Sequence, residues 1–228
     1  MLSLPKHLYH LVERLFNEAV EMLRQAQLTD YFARYQSKYA LGTFMNEFTI
    51  REASVADAPA LAELANQYTY HNLDENARKG GFLTGSFAAP ALGAMLASVP
   101  GQVAYYQQEL AGFVINSQLP AERYPPFIQA INALLPSLLY QQRPVTDYQW
   151  FYYGPVLVRQ EYRGQGLLQQ LFAATKQTLA GRFDLGVAFI ATENAASRWV
   201  HTQKLGLEQV GEIEFQEQAY DILVFPIA

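Results

Sequence analysis

Apolar residues near the start of the chain recur at the spacing of one helix face. From Leu8 onward they follow one another three or four positions apart, at Leu11, Val12, Leu15, Phe16, Ala19, Val20 and Leu23. A weaker helical stretch, rich in Tyr and Phe, runs from Thr29 to about Ala40 and leads to a break at Gly42. We therefore predict a helical N-terminal extension over residues 1–46.

From residue 47 onward, short β-type runs alternate with stretches of helical spacing. Residues 48–52 are typical of a strand, Ser54 is a suitable helix N-cap, and 55–68 has the spacing of a helix. The same reasoning predicts further strands over 103–107, 110–116, 148–158, 187–191, 208–215 and 219–225, and helices over 91–97, after Gly166 and over 195–204. Because strands and helices interleave, the sequence predicts an α/β or α+β sheet domain over residues 47–228.

Residues 119–146 interrupt this alternation. The segment contains Pro120, Pro125, Pro126 and Pro136, and its apolar residues between Phe127 and Leu135 are spaced as on a helix. We predict a helical insertion within the domain.

Composition excludes several classes of protein. A formal net charge of −5 argues against a broad nucleic-acid-binding surface, and the lack of cysteine excludes disulfides, thiolate metal sites and a cysteine nucleophile. Pro5, Lys6 and His7 interrupt the only early apolar run, and no later run is long enough to cross a membrane. We therefore expect a cytoplasmic protein without membrane or nucleic-acid partners. No metal-spaced His pair, serine-hydrolase elbow or nucleotide P-loop is present, apart from an uninformative His7 and His10.

A strand, a glycine-containing turn and a helix follow one another from Val156. The turn reads Arg163, Gly164, Gln165, Gly166. Glycines let the backbone turn tightly, and the unpaired N–H groups that open the next helix attract an anion such as phosphate. The same glycines also suit a plain strand-to-helix turn, so the pattern alone leaves both interpretations open.

This stretch resembles the acyl-CoA motif of the GNAT superfamily of N-acetyltransferases, and the resemblance covers most of the chain from Phe48 onward. It implies a mixed, mostly antiparallel central sheet flanked by helices. It also implies acetyl-CoA as co-substrate, with pantetheine held by the backbone of Val156, Leu157 and Val158. The pyrophosphate contacts implied by the resemblance are Arg163, Gly164, Gln165, Gly166, Leu167 and Leu168. The family usually has Gly or Ala where this chain has Leu168.

A second match follows in the order that the family expects, from Ala191 to Leu207. Asn194 stands where relatives have an Asn that contacts the cofactor arm. His201, seven positions later, stands where relatives often have a Tyr that faces the sulfur. Gly206 falls one residue later than usual, and Leu207 replaces an aromatic residue.

The implied reaction needs a base for the amine and a proton for the departing thiolate. Glu193, at the end of its strand, is our first candidate base, but a solvated carboxylate at a helix start is the alternative that the sequence favours over it. His201 is a candidate acid, with a structural role as its alternative. An N–H near Val158 would hold the oxyanion. Tyr152 and Tyr153, and the polar group His71, Asp74 and Glu75, are further candidates for contact with the acceptor.

Several functions stay open from the sequence. The favoured one is transfer of an acetyl group from acetyl-CoA to a primary amine of unknown identity. The main alternative is a non-catalytic, CoA-binding regulatory domain of the same fold. The N-terminal helices would pack on the domain, form a homodimer or cover the acceptor site, and the insertion would shape the acceptor pocket or an oligomer interface.

Overall fold

The computed structural model describes residues 48–227. The predicted helical extension over residues 1–46 lies outside the described residues. No helix in the described part combines the length and apolarity needed to cross a membrane.

The described residues are built around a seven-stranded sheet. Its strands are β1 (Phe48–Ala53), β2 (Val99–Tyr106), β3 (Glu109–Ser117), β6 (Trp150–Val158), β7 (Leu185–Ala191), β8 (Glu208–Phe215) and β9 (Gln218–Pro226), in the spatial order β1-β2-β3-β6-β7-β9-β8. Every neighbouring pair is antiparallel except β6 and β7, which run parallel. The prediction of a mixed, mostly antiparallel sheet is therefore confirmed.

Helices connect these strands. They are α1 (Ala58–Gln67), α2 (Glu75–Arg78), α3 (Ala89–Ser98), α4 (Pro126–Leu134), α5 (Leu167–Leu179) and α6 (Ala195–Trp199). A π-turn over Val200–Lys204 continues α6, so the predicted helix over 195–204 changes its winding at its centre. The segment over 119–146 contains α4 and a small hairpin of β4 (Leu139–Tyr140) and β5 (Arg143–Pro144), which the sequence analysis missed.

Helices cover both faces of the sheet because side chains alternate along each strand. On β3, Val114 packs in the cluster that contains Leu167, Leu171 and Leu179 of α5. Its neighbours Phe113 and Ile115 face the opposite way and pack with α1 and α3. Farther along that face, α4 packs on β6, β7 and β9. The sheet is thus the middle layer of three.

A bulge in β6 changes which side chains face α5. The register between β3 and β6 shifts between Val114 and Asn116, opposite Gly154 and Pro155. Before the bulge, Tyr153 packs in the α5 cluster, and after it Val156 and Val158 pack against that cluster. Before the bulge the odd-numbered residues of β6 face α5, and after it the even-numbered residues do. One extra residue in a strand causes this change, because successive side chains point to opposite faces.

The sheet opens between β6 and β7. These strands pair over three positions, from Trp150 with Leu185 to Tyr152 with Val187. The rest of β6 has no strand partner on this side among the described residues. The Arg159 N–H donates to the Ala111 carbonyl on β3. Because antiparallel hydrogen bonds alternate, Val156 and Val158 direct their N–H and C=O groups away from β3 and toward the opening.

Candidate functional site

A cavity of about 520 Å³ lies at this opening. Its walls come from the end of β6, the turn that precedes α5, residues 80–83, and α6 with its π-turn. Val156, Leu157 and Val158 line it, as do Arg163, Gly164, Gly166, Leu167 and Leu168. The structure therefore brings together eight of the ten residues that the sequence assigned to cofactor binding.

The turn before α5 presents backbone N–H groups to this cavity. Gly164 and Gly166 have φ values of 75° and 79°, in the left-handed region that glycine adopts without strain. Gln170 donates to the Gly166 carbonyl at 3.1 Å, which leaves Leu167, Leu168 and Gln169 without intrahelical acceptors. No side chain caps the helix. The start of α5 is therefore a suitable anion site, because its free N–H groups and dipole both favour negative charge.

Arg163 joins the two sides of the cavity. Its Nε donates to the Val158 carbonyl at 2.9 Å and its Nη1 to the Gly80 carbonyl at 2.8 Å. The guanidinium carbon lies 5.6 Å from the centre of the Tyr68 ring. Burial lowers the pKa of Arg163, because desolvation disfavours its charged form. The N–H groups not used by these two carbonyls are available to an anion.

A second cavity, of about 470 Å³, adjoins the first. The two share the wall residues Phe82, Leu83, Val156, Ser197 and His201. Tyr124, Pro125, Phe127 and Ile128, at and just before the start of α4, also line the second cavity. The predicted insertion therefore contributes to the wall of the second cavity.

His201 lies where the two cavities meet and is buried, with 6% of its surface exposed. Its Nδ1 lies 2.8 Å from the Ser197 carbonyl oxygen. A carbonyl can only accept, so this contact requires a proton on Nδ1 and leaves Nε2 as the acceptor nitrogen. Burial also lowers the pKa of His201. The resting imidazole is therefore neutral and ready to accept a proton, whereas the sequence analysis assigned it only the role of an acid.

The Tyr153 hydroxyl is buried and has no hydrogen-bond partner within residues 48–227. Its ring meets the His201 ring edge to face, with centroids 6.1 Å apart, and lines the second cavity. Burial raises the pKa of Tyr153 well above its ordinary value. The hydroxyl therefore stays protonated as a hydrogen-bond donor. Buried polar groups are normally paired, so this unpaired hydroxyl next to His201 is unusual and singles out Tyr153.

Asn194 is buried and its side chain stabilises the site. Its Nδ2 donates to the Phe82 carbonyl at 2.7 Å, and its Oδ1 accepts from the Ser197 N–H at 3.3 Å, which caps α6. Asn194 lines the second cavity and not the first. The resemblance implied contact with the cofactor arm, whereas these two bonds join α6 to the loop around Phe82. Gln165 likewise does not line the first cavity, and its Nε2 donates to the Glu161 carbonyl.

Glu193 lines neither cavity, although its hydrogen-bond partner Gln218 lines the second. It is exposed, and its Oε1 accepts a hydrogen bond from Gln218 Nε2 at 2.7 Å. His71, Asp74 and Glu75 are also exposed and line neither cavity, and Asp74 caps α2. None of these four side chains is therefore part of the wall of either cavity.

The sequence analysis did not identify several residues of the first cavity. Trp199, with 56% of its surface exposed, and Lys204 lie on the far wall, and the Lys204 Nζ is 5.2 Å from the centre of the Trp199 ring. Both lie within the second matched motif, so their position between Asn194 and Gly206 could have identified them as candidates for the site. Tyr68 and Gly80 reach the cavity from loops that carry no recognisable pattern.

The π-turn accounts for the late position of Gly206. The Leu205 N–H donates to the Val200 carbonyl, five residues earlier, at 3.1 Å. A π-turn holds an additional residue within an otherwise α-helical segment. It therefore accommodates the one-residue difference from the family pattern and leaves His201 at the junction of the cavities.

No protein-family model and no curated protein matches this chain. Solved structures do match it. YncA of Salmonella typhimurium, solved with its cofactor acetyl-CoA, superimposes with a TM-score of 0.52 at 16% identity, covering 80% of this chain and 95% of that one. Ard1 of Thermoplasma volcanium gives a TM-score of 0.53 at 12% identity, covering 79% and 98%. Arabidopsis thaliana NAA60, in complex with a bisubstrate analogue, gives 0.52 at 11% identity, covering 78% and 97%.

These similarities identify the fold. The described residues have the fold of the GNAT superfamily of N-acetyltransferases, including a sheet that opens between two parallel strands. At these identities the comparisons show the fold alone.

Proposed function

We propose that this chain is an N-acetyltransferase that transfers an acetyl group from acetyl-CoA to a primary amine. One observation carries the proposal: the unpaired edge of β6 and the open N-terminus of α5 line the same cavity. A pantetheine arm contains amides, which pair with a strand edge, and the pyrophosphate of CoA is an anion suited to a helix N-terminus. The residues present therefore fit the co-substrate.

The cofactor-binding roles follow from this geometry. Val156 and Val158 offer backbone N–H and C=O groups to the pantetheine amides. The turn from Arg163 to Gly166 and the first N–H groups of α5 hold the pyrophosphate. Lys204 is a further cation on the same wall, and Trp199 offers its ring to the adenine. The acetyl group then lies at the junction of the cavities, beside His201 and Tyr153.

His201 moves the proton in this proposal. An alkyl amine with a pKa near about 10.4 must lose a proton before attack, and the nitrogen loses a second one as the amide forms. The first is lost to solvent before the amine enters, and the neutral Nε2 of His201 accepts the second. The C–S bond breaks, and the resulting thiolate takes the proton from His201. That transfer is downhill, because the pKa of His201 is lowered from about 6.5 while that of a cysteine thiol is about 8.5.

Tyr153 stabilises the charge that develops. Its hydroxyl is a weaker acid than a thiol, so it donates a hydrogen bond without losing its proton. The position of Glu193 supports no role in this scheme. Asn194 acts as a positioning residue, because it caps the helix that carries His201.

Calorimetric titration with acetyl-CoA and CoA tests the proposal. The intact protein is expected to bind both in the micromolar range. Gly164→Asp and Gly166→Asp are expected to weaken binding at least about tenfold, because a carboxylate beside the pyrophosphate repels it.

Gly181→Asp is the matched control for the backbone. Gly181 also has a positive φ, 74°, with open space around its Cα, and lines neither cavity. Gly181→Asp should therefore bind acetyl-CoA and CoA as tightly as the intact protein does. No binding to the intact protein would overturn the proposal, whereas binding without thiol release from any amine would favour the regulatory CoA-binding alternative.

A further inference from the structure

The second cavity is lined mainly by aliphatic and aromatic side chains, together with uncharged polar ones such as Ser86, Asn194 and Gln216. Aromatic residues among its described wall are Phe82, Phe87, Tyr124, Phe127, Tyr152, Tyr153, Phe189, Phe215 and Tyr220. No Asp, Glu, Lys or Arg is part of that described wall. Its volume of about 470 Å³ falls within the usual range of small-molecule sites, roughly 300–1,000 Å³.

The polar groups at this wall are mostly paired with each other. Tyr124 donates to Ser117 at 2.9 Å, Tyr152 to Asn132 at 2.7 Å and Tyr220 to Gln218 at 2.8 Å. Among the tyrosines of this described wall, only Tyr153 has a hydroxyl without a hydrogen-bond partner, and its ring lies beside that of His201. A ligand with many polar groups, such as a peptide or an amino acid carboxylate, would leave them unpaired here, which is unfavourable. A ligand with one polar group would place it at Tyr153 and His201.

We infer that the acceptor is an amine carried on an uncharged aromatic body. The inference rests on the proposed function and names its substrate class. The ring centroids of Phe189, Phe215 and Tyr220 lie 4.3–5.4 Å from that of Phe127, so the four rings form a cluster. Such a cluster suits edge contacts with a further aromatic ring. The amine would point toward the junction of the cavities, where the acetyl group lies.

Phe127 is the residue that best tests this inference. It is half-buried, lines the cavity and lies on α4. Phe127→Glu would place a carboxylate in the cavity, which should repel an apolar body and attract a polycation. Ala133→Glu is the matched control, since Ala133 is exposed on the same helix and does not line the cavity.

The experiment measures binding of 2-phenylethylamine and of spermidine by calorimetry, with the protein saturated with CoA, and thiol release from acetyl-CoA with each amine. The intact protein and Ala133→Glu are expected to bind and acetylate 2-phenylethylamine with kcat/KM at least about tenfold above that for spermidine. Phe127→Glu should reduce this ratio at least about tenfold while leaving the Kd of acetyl-CoA unchanged.

The two proposals fail in different ways. Failure to bind acetyl-CoA would overturn the proposed function. Normal acetyl-CoA binding with no binding of 2-phenylethylamine would overturn the substrate inference alone, as would a preference for spermidine or for an alanine-initiated peptide.

Discussion

At the residue scale, His201 and Tyr153 are both buried, and the Tyr153 hydroxyl has no hydrogen-bond partner within residues 48–227. Burial keeps the imidazole neutral and the phenol protonated, so the two groups have complementary roles: one accepts a proton and the other donates a hydrogen bond. Their rings are in contact, so a reacting group at the junction of the cavities would meet both. Each role predicts a distinct effect of substitution.

His201→Gln is expected to lower kcat by about 10²–10⁴-fold, the usual contribution of a general acid–base group. The Kd of acetyl-CoA, measured by calorimetry, should stay within about twofold, because His201 does not hold the pyrophosphate. Activity of the intact enzyme should fall as the pH drops below the lowered pKa of His201, and this decline should be missing in the variant. An unchanged kcat would contradict the role of His201.

Tyr153→Phe removes one buried, unpaired hydroxyl. The free energy of unfolding should stay the same or increase by up to about 1 kcal/mol, while kcat falls about tenfold. Tyr152→Phe is the control, because its hydroxyl donates to Asn132 and its removal should destabilise the protein by about 1 kcal/mol. Urea unfolding and thiol-release kinetics measure both effects. If Tyr153→Phe lowered both kcat and the free energy of unfolding, the Tyr153 hydroxyl would have a structural role instead.

At the element scale, α6 and its π-turn determine where His201 and Trp199 lie. Asn194 caps the helix, and Arg198 forms an ion pair with the buried Asp221 of β9 and donates to the Thr192 carbonyl. The element is therefore fixed at its start and along its side. It presents His201 to the junction and Trp199 to the outer part of the first cavity.

Trp199→Ala is expected to raise the Kd of acetyl-CoA about tenfold, because stacking of a base on an aromatic ring contributes about 1–3 kcal/mol. The KM for S-acetylpantetheine, which has no adenine, should not change. Leu139→Ala is the control, since Leu139 is also a large, exposed apolar residue and lines neither cavity. Equal losses for both donors would show that Trp199 acts through the fold and not through the base.

At the scale of the whole described domain, the opening between β6 and β7 is what creates the site. The sheet is continuous on either side of it, and three hydrophobic clusters between the sheet and its helices keep the two halves in place. Residues from both halves line the junction, so its geometry depends on the stability of the domain as a whole.

Acid should destabilise the domain through His201. Its pKa is lowered in the folded state, so below about 6.5 the unfolded chain binds more protons and the free energy of unfolding falls with pH. The contribution of neutral His201 to the free energy of unfolding is fully present above about pH 6.5. Below that pH it decreases by up to about 1.4 kcal/mol per pH unit. Urea unfolding between pH 7.5 and pH 5 should therefore show a steeper decline for the intact protein than for His201→Gln. Parallel declines would contradict the burial of His201.

Much of the fold and the cofactor side was accessible from the sequence. Short-range spacing predicts α1 and α5 because each buries one face, and runs of β-type residues predict β1, β8 and β9. The glycines at 164 and 166 mark a turn whose backbone few other residues adopt. The hydrogen bonds of Glu193 and Asn194 could not be predicted from the sequence, because they depend on which residues lie nearby in the fold. Gln218 and Phe82 are distant in sequence, and no local pattern places them.

The sequence by itself determined the order of the seven strands of the main sheet and the glycine turn before α5, because both arise from local backbone preferences and periodic burial. Only the tertiary structure decided that β6 separates from β7 and that aromatic side chains from α4, β7, β8 and β9 meet at the wall of the second cavity. It also decided that the Tyr153 hydroxyl has no partner among the described residues. These features depend on contacts between residues far apart in the chain, and such contacts leave no fixed spacing in the sequence.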